Sequence, residues 1–156
     1  MKKIAVIYVS KHHGNTEKLL KGIDSRMADR LELIPLSEAE NRDFSDYDMI
    51  GLASGIYGFE LDPGLTSFAL SCSSLPKEIF IIYTSGMGKD GFANGFIKKL
   101  KAAGHEIVGT FQCKGCDTFG PLKLVGGIAK GHPDEEDIIS GTEFIKELTL
   151  LMKGTA

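Results

Sequence analysis

Apolar and polar positions along this chain follow two rhythms. Residues 3–9 are a continuous apolar run rich in β-branched side chains, the pattern of a strand covered on both faces. Residues 15–29 place Leu19, Leu20, Ile23 and Met27 at helical spacing. Residues 31–35 predict a short second strand, and the polar stretch 37–44 leaves room for one turn of helix. Residues 47–53 predict a third buried strand, 65–74 a helix, and 79–84 a fourth strand. Residues 92–103 predict a helix with Phe92, Phe96, Ile97 and Leu100 on one side, and 106–112 a fifth strand. The glycines of 113–133 argue against a regular element there. Pro133 precedes Asp134, Glu135, Glu136 and Asp137; acidic residues in a first turn complement the helix dipole, so the last helix starts there and runs to about Met152.

Strands alternating with helices imply βαβ units, hence a parallel sheet with helices on both faces. Right-handed crossovers leave few topologies, and several doubly wound orders fit the periodicity. The 156 residues suit one domain, 1–156, and no repeat or linker divides them. A net charge of −3 weighs against nucleic acid and gives no strong acidic field. The apolar start is short and β-branched, which favours a strand over a leader peptide. No apolar stretch is long enough to span a bilayer. The odd cysteine count, Cys72, Cys113 and Cys116, fits a reducing compartment, and the expected location is the cytoplasm, away from membranes.

In open α/β sheets, ligands sit outside the carboxyl ends of the strands. After the first strand comes Ser10-Lys11-His12-His13-Gly14-Asn15-Thr16. Small polar side chains, a glycine and a helix N-terminus form an anion site, with backbone N–H groups and the dipole end aimed at the ligand. Neither GxGxxG nor GxxxxGK[ST] is present, and a terminal phosphate fits this short loop better than a pyrophosphate. An ordinary strand-to-helix loop with a polar cap is the competing reading.

Residues 10–16 resemble the phosphate loop of flavodoxins, T/S-x-T-G-N-T. Gly14-Asn15-Thr16 match its end, His13 stands at a position usually held by a hydroxyl residue, and the loop is one residue longer. The resemblance implies a flavodoxin-like three-layer sandwich on a five-stranded parallel sheet of order 2-1-3-4-5, with FMN at the switch between the first and third strands. It also implies cofactor contacts from Ser10, His12, His13, Gly14, Asn15 and Thr16. After the third strand, Ser54-Gly55-Ile56-Tyr57-Gly58 put an aromatic beside a glycine, where flavodoxins stack a ring on the flavin. After the fourth strand, Ser85, Gly86 and Met87 offer backbone groups and a thioether where the family often has a tyrosine. The stretch Cys113-Lys114-Gly115-Cys116-Asp117-Thr118-Phe119-Gly120-Pro121 resembles a loop of short flavodoxin-like proteins and is expected to close over the flavin or receive a partner. Its C-x-x-C pair lacks the further ligands of a zinc site unless His132 or another residue joins it, and lacks a following helix for thioredoxin chemistry.

The expected function is electron transfer between redox partner proteins, with FMN cycling between oxidised, semiquinone and hydroquinone states. The flavin carries the electrons and the protein tunes it. Glu60, Asp62 and Asp90 are candidate tuning charges. No catalytic nucleophile and no metal ligand set is expected. The alternative is an NAD(P)H-dependent FMN/quinone oxidoreductase, for which the absent tyrosine after the fourth strand leaves room. A non-flavin module such as a receiver-like signalling domain needs acidic residues where Ser10-Lys11 and Ala53-Ser54 stand, which speaks strongly against it.

Overall fold

The computed structural model describes residues 3–28, 31–116 and 128–154. In chain order the elements are β1 (Ile4–Val9), a 3-10 turn (His12–Gly14), α1 (Asn15–Arg26), β2 (Glu32–Pro35) and α2 (Leu36–Ala39). Then follow β3 (Met49–Tyr57), β4 (Glu60–Leu61), α3 (Pro63–Ser71), β5 (Glu78–Ser85), α4 (Asn94–Ala102), β6 (Glu106–Lys114) and α5 (Glu135–Gly154).

The main strands pair in parallel in the order β2-β1-β3-β5-β6. This is the expected 2-1-3-4-5 order with one addition. The two-residue β4 pairs antiparallel with the end of β3, Ile56 with Leu61 and Tyr57 with Glu60.

Strand alternation explains the two cores. Ala5, Ile7, Ile50, Leu52, Ile79, Ile81 and Tyr83 face Ala39, Leu65, Ala69, Phe96 and Leu100 of α2, α3 and α4. Ile4, Val6, Tyr8, Met49, Ala53, Phe80 and Ile82 face Leu19, Leu20, Ile23, Ile145 and Leu148 of α1 and α5. Helices therefore cover both faces, as continuous apolar strands require. Close packing depends on local space. A Cβ on Gly51 would lie 2.4 Å from the Phe80 ring, and one on Gly22 would lie 2.6 Å from Ile138 across the α1–α5 contact.

Several boundaries differ from the sequence expectation. The third strand begins at Met49 and runs on to Tyr57, four residues past the expected end: Ser54 and Gly55 continue the parallel pairing with β1 and β5, and Ile56 and Tyr57 pair with β4. Ser54, Gly55, Ile56 and Tyr57 are therefore strand residues, not loop residues. The hairpin turn holds Gly58 (φ 62°) and Phe59 (φ 68°), positive φ at both central positions as a type I′ turn needs. Helix α3 starts at Pro63 rather than 65, since Asp62 caps it by accepting the Gly64 N–H and proline is well placed in a first turn. Cys113 and Lys114 belong to β6. Helix α1 ends at Arg26, and α4 begins at Asn94. Among the described residues, no helix is long and apolar enough to cross a membrane.

Candidate functional site

The chain leaves β1 for β2 on one side and reaches β3 on the other, so β1 and β3 flank the switch point where such sheets bind ligands. Register places Val9 beside Ser54, Gly55 beside Thr84, and Ser85 beside Lys114. The loops that leave these ends share one edge of the sheet.

The turn after β1 has an uncommon backbone. His13 (φ 62°) and Gly14 (φ 65°) are both left-handed, and Gly14 is the residue that caps α1. A left-handed histidine costs energy that a loop retains when the surroundings or a function demand it. A Cβ on Gly14 would meet nothing within 4 Å, so the turn opens onto free space at the helix N-terminus. The turn stands at the α1 N-terminus, where the sequence places a candidate anion site.

The side chains around the turn mainly hold it in shape. Ser10 Oγ accepts the Glu17 N–H at 3.1 Å. Asn15 Nδ2 donates to the Cys116 carbonyl at 2.8 Å. The Thr16 hydroxyl, buried, lies 3.1 Å from the Thr84 hydroxyl and ties the first turn of α1 to β5. Ser10, Asn15 and Thr16 therefore brace the turn. His12 contributes its backbone to the 3-10 turn, and its side chain lies outside the described residues.

Tyr57 closes the other side. Its ring crosses the β3 backbone, where a Cβ on Gly55 would lie 2.8 Å from the phenolic oxygen. That oxygen accepts the Lys11 N–H at 2.8 Å, so the end of β3 is hydrogen-bonded to the turn after β1. Burial raises the Tyr57 phenol above its ordinary value, partly offset by the Lys11 N–H. The Lys11 ammonium stands 2.6 Å from Asp62 Oδ2 and 5.5 Å from the Tyr57 ring centre. The hydrogen bond to Asp62 raises the Lys11 pKa. Ser54 Oγ accepts the Asp62 N–H at 3.0 Å and fixes the base of the hairpin. Ile56 is half-buried and Gly58 exposed.

The loop after β5 is pinned at both ends. Ser85 Oγ accepts the Gly88 N–H at 2.9 Å, and the Tyr83 hydroxyl donates to the Lys89 carbonyl at 3.1 Å. Gly86 is half-buried, while Met87 is 48% exposed. From β6, Gly115 N–H donates to the Ser85 carbonyl, and a Cβ on Gly115 would lie 2.7 Å from Asn15 Nδ2. Glycine at 115 thus lets the β6 end close against the turn after β1.

Of the candidate tuning charges, Asp62 is buried and paired, while Glu60 and Asp90 are exposed. Lys11 and Gly115 were missed as site residues. Their roles depend on contacts across 51 and 101 positions of sequence, the second made by Asn15 to the neighbouring Cys116.

Asp117, Thr118, Phe119, Gly120 and Pro121 lie outside the described residues. Cys113 is buried, and desolvation pushes its thiol up to about 12. His132 Nδ1 lies 2.7 Å from Asp137, and Asp134 and Asp137 accept each other's backbone N–H at the start of α5. His105 Nδ1 lies 3.1 Å from the Pro76 carbonyl.

A family model described as the flavodoxin domain matches residues 5–115. The chain belongs to the flavodoxin family. It is 38% identical over 148 residues to an uncharacterized protein of Methanocaldococcus jannaschii, covering 94% of this flavodoxin-family chain and 97% of that one. Its fold is similar to that of a Streptococcus pneumoniae flavodoxin, with a TM-score of 0.63 at 17% identity, covering 94% of this chain and 98% of that one. It is also similar to a Lactobacillus acidophilus flavoprotein solved in complex with FMN, with a TM-score of 0.55 at 16% identity, covering 72% and 94%.

Proposed function

We propose that this chain binds FMN between the turn after β1 and the β3–β4 hairpin, and carries electrons between redox partner proteins. The observation behind this reading is the hydrogen bond from the Lys11 N–H to the Tyr57 hydroxyl. It joins a helix N-terminus suited to a phosphate to an aromatic ring suited to a planar heterocycle.

The residues present fit the group. The left-handed His13-Gly14 turn stands at the α1 dipole end with open space where a Gly14 side chain would lie, a position that suits a phosphate monoester. Tyr57 supplies a ring face, and Gly58 stands exposed beside it with no atom near its missing side chain. Ser85, Gly86 and Met87 would line the side nearer β5. When bound, FMN supplies one- and two-electron transfer, while the protein supplies binding, orientation and electrostatics.

The test is a reductive titration. The protein is loaded with FMN and reduced stepwise with dithionite without oxygen, following its visible spectrum. Two resolved one-electron steps and no bleaching by NADH or NADPH are the expected result. Failure to retain any flavin contradicts the reading.

The exposure of Met87 favours a second reading, an NAD(P)H-dependent FMN/quinone oxidoreductase. A half-exposed thioether beside the site leaves a hydride donor or acceptor room to approach. Rapid bleaching by NADH or NADPH, with turnover on a quinone, selects it over the carrier.

A further inference from the structure

Lys11 sits in the phosphate-type turn, yet its bonds lead elsewhere. Its N–H donates to the Tyr57 hydroxyl at 2.8 Å, and its ammonium reaches Asp62 Oδ2 at 2.6 Å. The same ammonium lies 5.5 Å from the Tyr57 ring centre. We propose that Lys11 is a positioning residue for the ring end of the site, holding the hairpin and Tyr57 in place, and not a ligand of the phosphate. This rests on the FMN reading above and deepens it.

Two anions compete for the Lys11 ammonium, the Asp62 carboxylate and a phosphate in the turn. Asp62 is 4% exposed, and its other carboxylate oxygen accepts the Gly64 N–H at 2.8 Å as the cap of α3. Its own N–H donates to buried Ser54 at 3.0 Å. The carboxylate is therefore fixed, and Lys11 is the cation that compensates it. Moving that ammonium to a phosphate would leave a buried carboxylate without its charge partner, which is costly. A phosphate at the α1 N-terminus already has backbone donors and the helix dipole. The ammonium therefore gains more at Asp62 than at the turn.

The two ends of Lys11 act together. Its backbone N–H fixes the Tyr57 hydroxyl, and its side chain fixes the residue that starts α3. Between these points run Gly58, Phe59, Glu60 and Leu61, the turn and second strand of the hairpin. One residue thus ties both ends of the hairpin to the turn after β1. Loss of the side chain removes the tie at Asp62 and loosens that end of the ring platform, while the Lys11 N–H bond to Tyr57 and the backbone of the turn remain.

The test uses two ligands that differ only in the phosphate. Affinities of wild type, Lys11→Met and Lys11→Arg for FMN and riboflavin are measured by quenching of flavin fluorescence. Lys11→Met is expected to weaken both by the same factor, on the order of tenfold for a lost charged hydrogen bond, leaving the FMN-to-riboflavin ratio unchanged. Lys11→Arg restores most of the loss. A loss confined to FMN contradicts the proposal and makes Lys11 a phosphate ligand. No loss with either ligand also contradicts it. Wild type binding neither flavin overturns this role together with the FMN reading, whereas a flavin-binding wild type with an unaffected variant overturns the Lys11 role alone. If Lys11→Met fails to fold, Lys11→Met/Asp62→Asn removes the stranded carboxylate and is expected to show the same equal loss.

A readout without flavin completes the test. The Tyr57 phenol is titrated by absorbance at alkaline pH, taken as the difference between each protein and its Tyr57→Phe counterpart. The transition moves to higher pH in Lys11→Met, because the nearby cation that favours the phenolate is gone. An unmoved transition contradicts the proposal.

Discussion

A Cβ on Gly55 would stand 2.8 Å from the Tyr57 hydroxyl oxygen and 2.9 Å from its ring, so the tyrosine lies directly across the strand backbone. Glycine at 55 is what lets an aromatic at 57 fold back toward the turn after β1. Gly55→Ala displaces Tyr57 and breaks its hydrogen bond to Lys11. Overpacking of this kind costs about 1–3 kcal/mol, and where that cost falls on the bound state flavin affinity drops roughly five- to 150-fold. Flavin fluorescence titration of the variant checks it, and unchanged affinity removes Tyr57 from the ring platform.

The phenol and the ring of Tyr57 separate cleanly by mutation. Tyr57→Phe keeps the ring and loses only the hydroxyl that accepts the Lys11 N–H. It costs about 0.5–1.5 kcal/mol of flavin binding. Tyr57→Ala also removes the aromatic face, worth about 0.5–1.5 kcal/mol beyond its buried area. Calorimetric binding of FMN ranks wild type, Phe and Ala in that order.

The turn after β1 is held in a left-handed backbone at Gly14 (φ 65°). Gly14→Ala adds a Cβ that meets no neighbouring atom, so any loss of stability comes from the backbone alone. The expected loss is about 1–2 kcal/mol. Urea denaturation measures it, and an unchanged midpoint would mean that the turn relaxes without cost.

Tyr8 carries a pH signature. Burial, with Glu17 accepting its hydroxyl at 3.1 Å, raises its pKa from 10.0 to about 12. The folded state holds the phenolic proton more tightly than the unfolded chain does. The resulting stability is complete below pH 10 and is lost as pH rises from about 10 to about 12, on the order of 2 kcal/mol in all. Tyr8→Phe removes this part of the alkaline slope, which chemical denaturation at several pH values detects.

The cysteines divide by reactivity. Cys113 is buried at the end of β6 with its thiol pushed up to about 12, whereas Cys72 and Cys116 are half-buried. Since the thiolate is the nucleophile, Cys113 stays unmodified by iodoacetamide at pH 8 until the protein unfolds. Mass mapping of the labelled sites reads this directly, and early labelling at Cys113 would show that the end of β6 opens in the native state.

The sheet was legible because its strands are buried on both faces. Short β-branched runs such as Ile79, Phe80, Ile81 and Ile82 favour a strand covered on both faces, and alternation then sorts them into two cores. The candidate loops were legible because strand ends locate them. The reach of β3 to Tyr57 was not, since it depends on pairing with a two-residue strand that has no periodicity of its own. In the sequence Lys11 is legible only as a member of the loop after β1, for a similar reason. Its meaning lies in Asp62, 51 positions away, and in a hydroxyl at 57 that happens to reach its N–H. The braced hydroxyls of Ser10 and Thr16 are likewise understood only from the Glu17 N–H and Thr84 they meet.

Whether FMN binds between the turn after β1 and the β3–β4 hairpin is decided by titrating the flavin-free protein with FMN. Saturable quenching of flavin fluorescence at one FMN per chain, weakened by Gly55→Ala and by Tyr57→Ala, is expected. No quenching by the wild-type protein, or quenching that both substitutions leave unchanged, would contradict binding there.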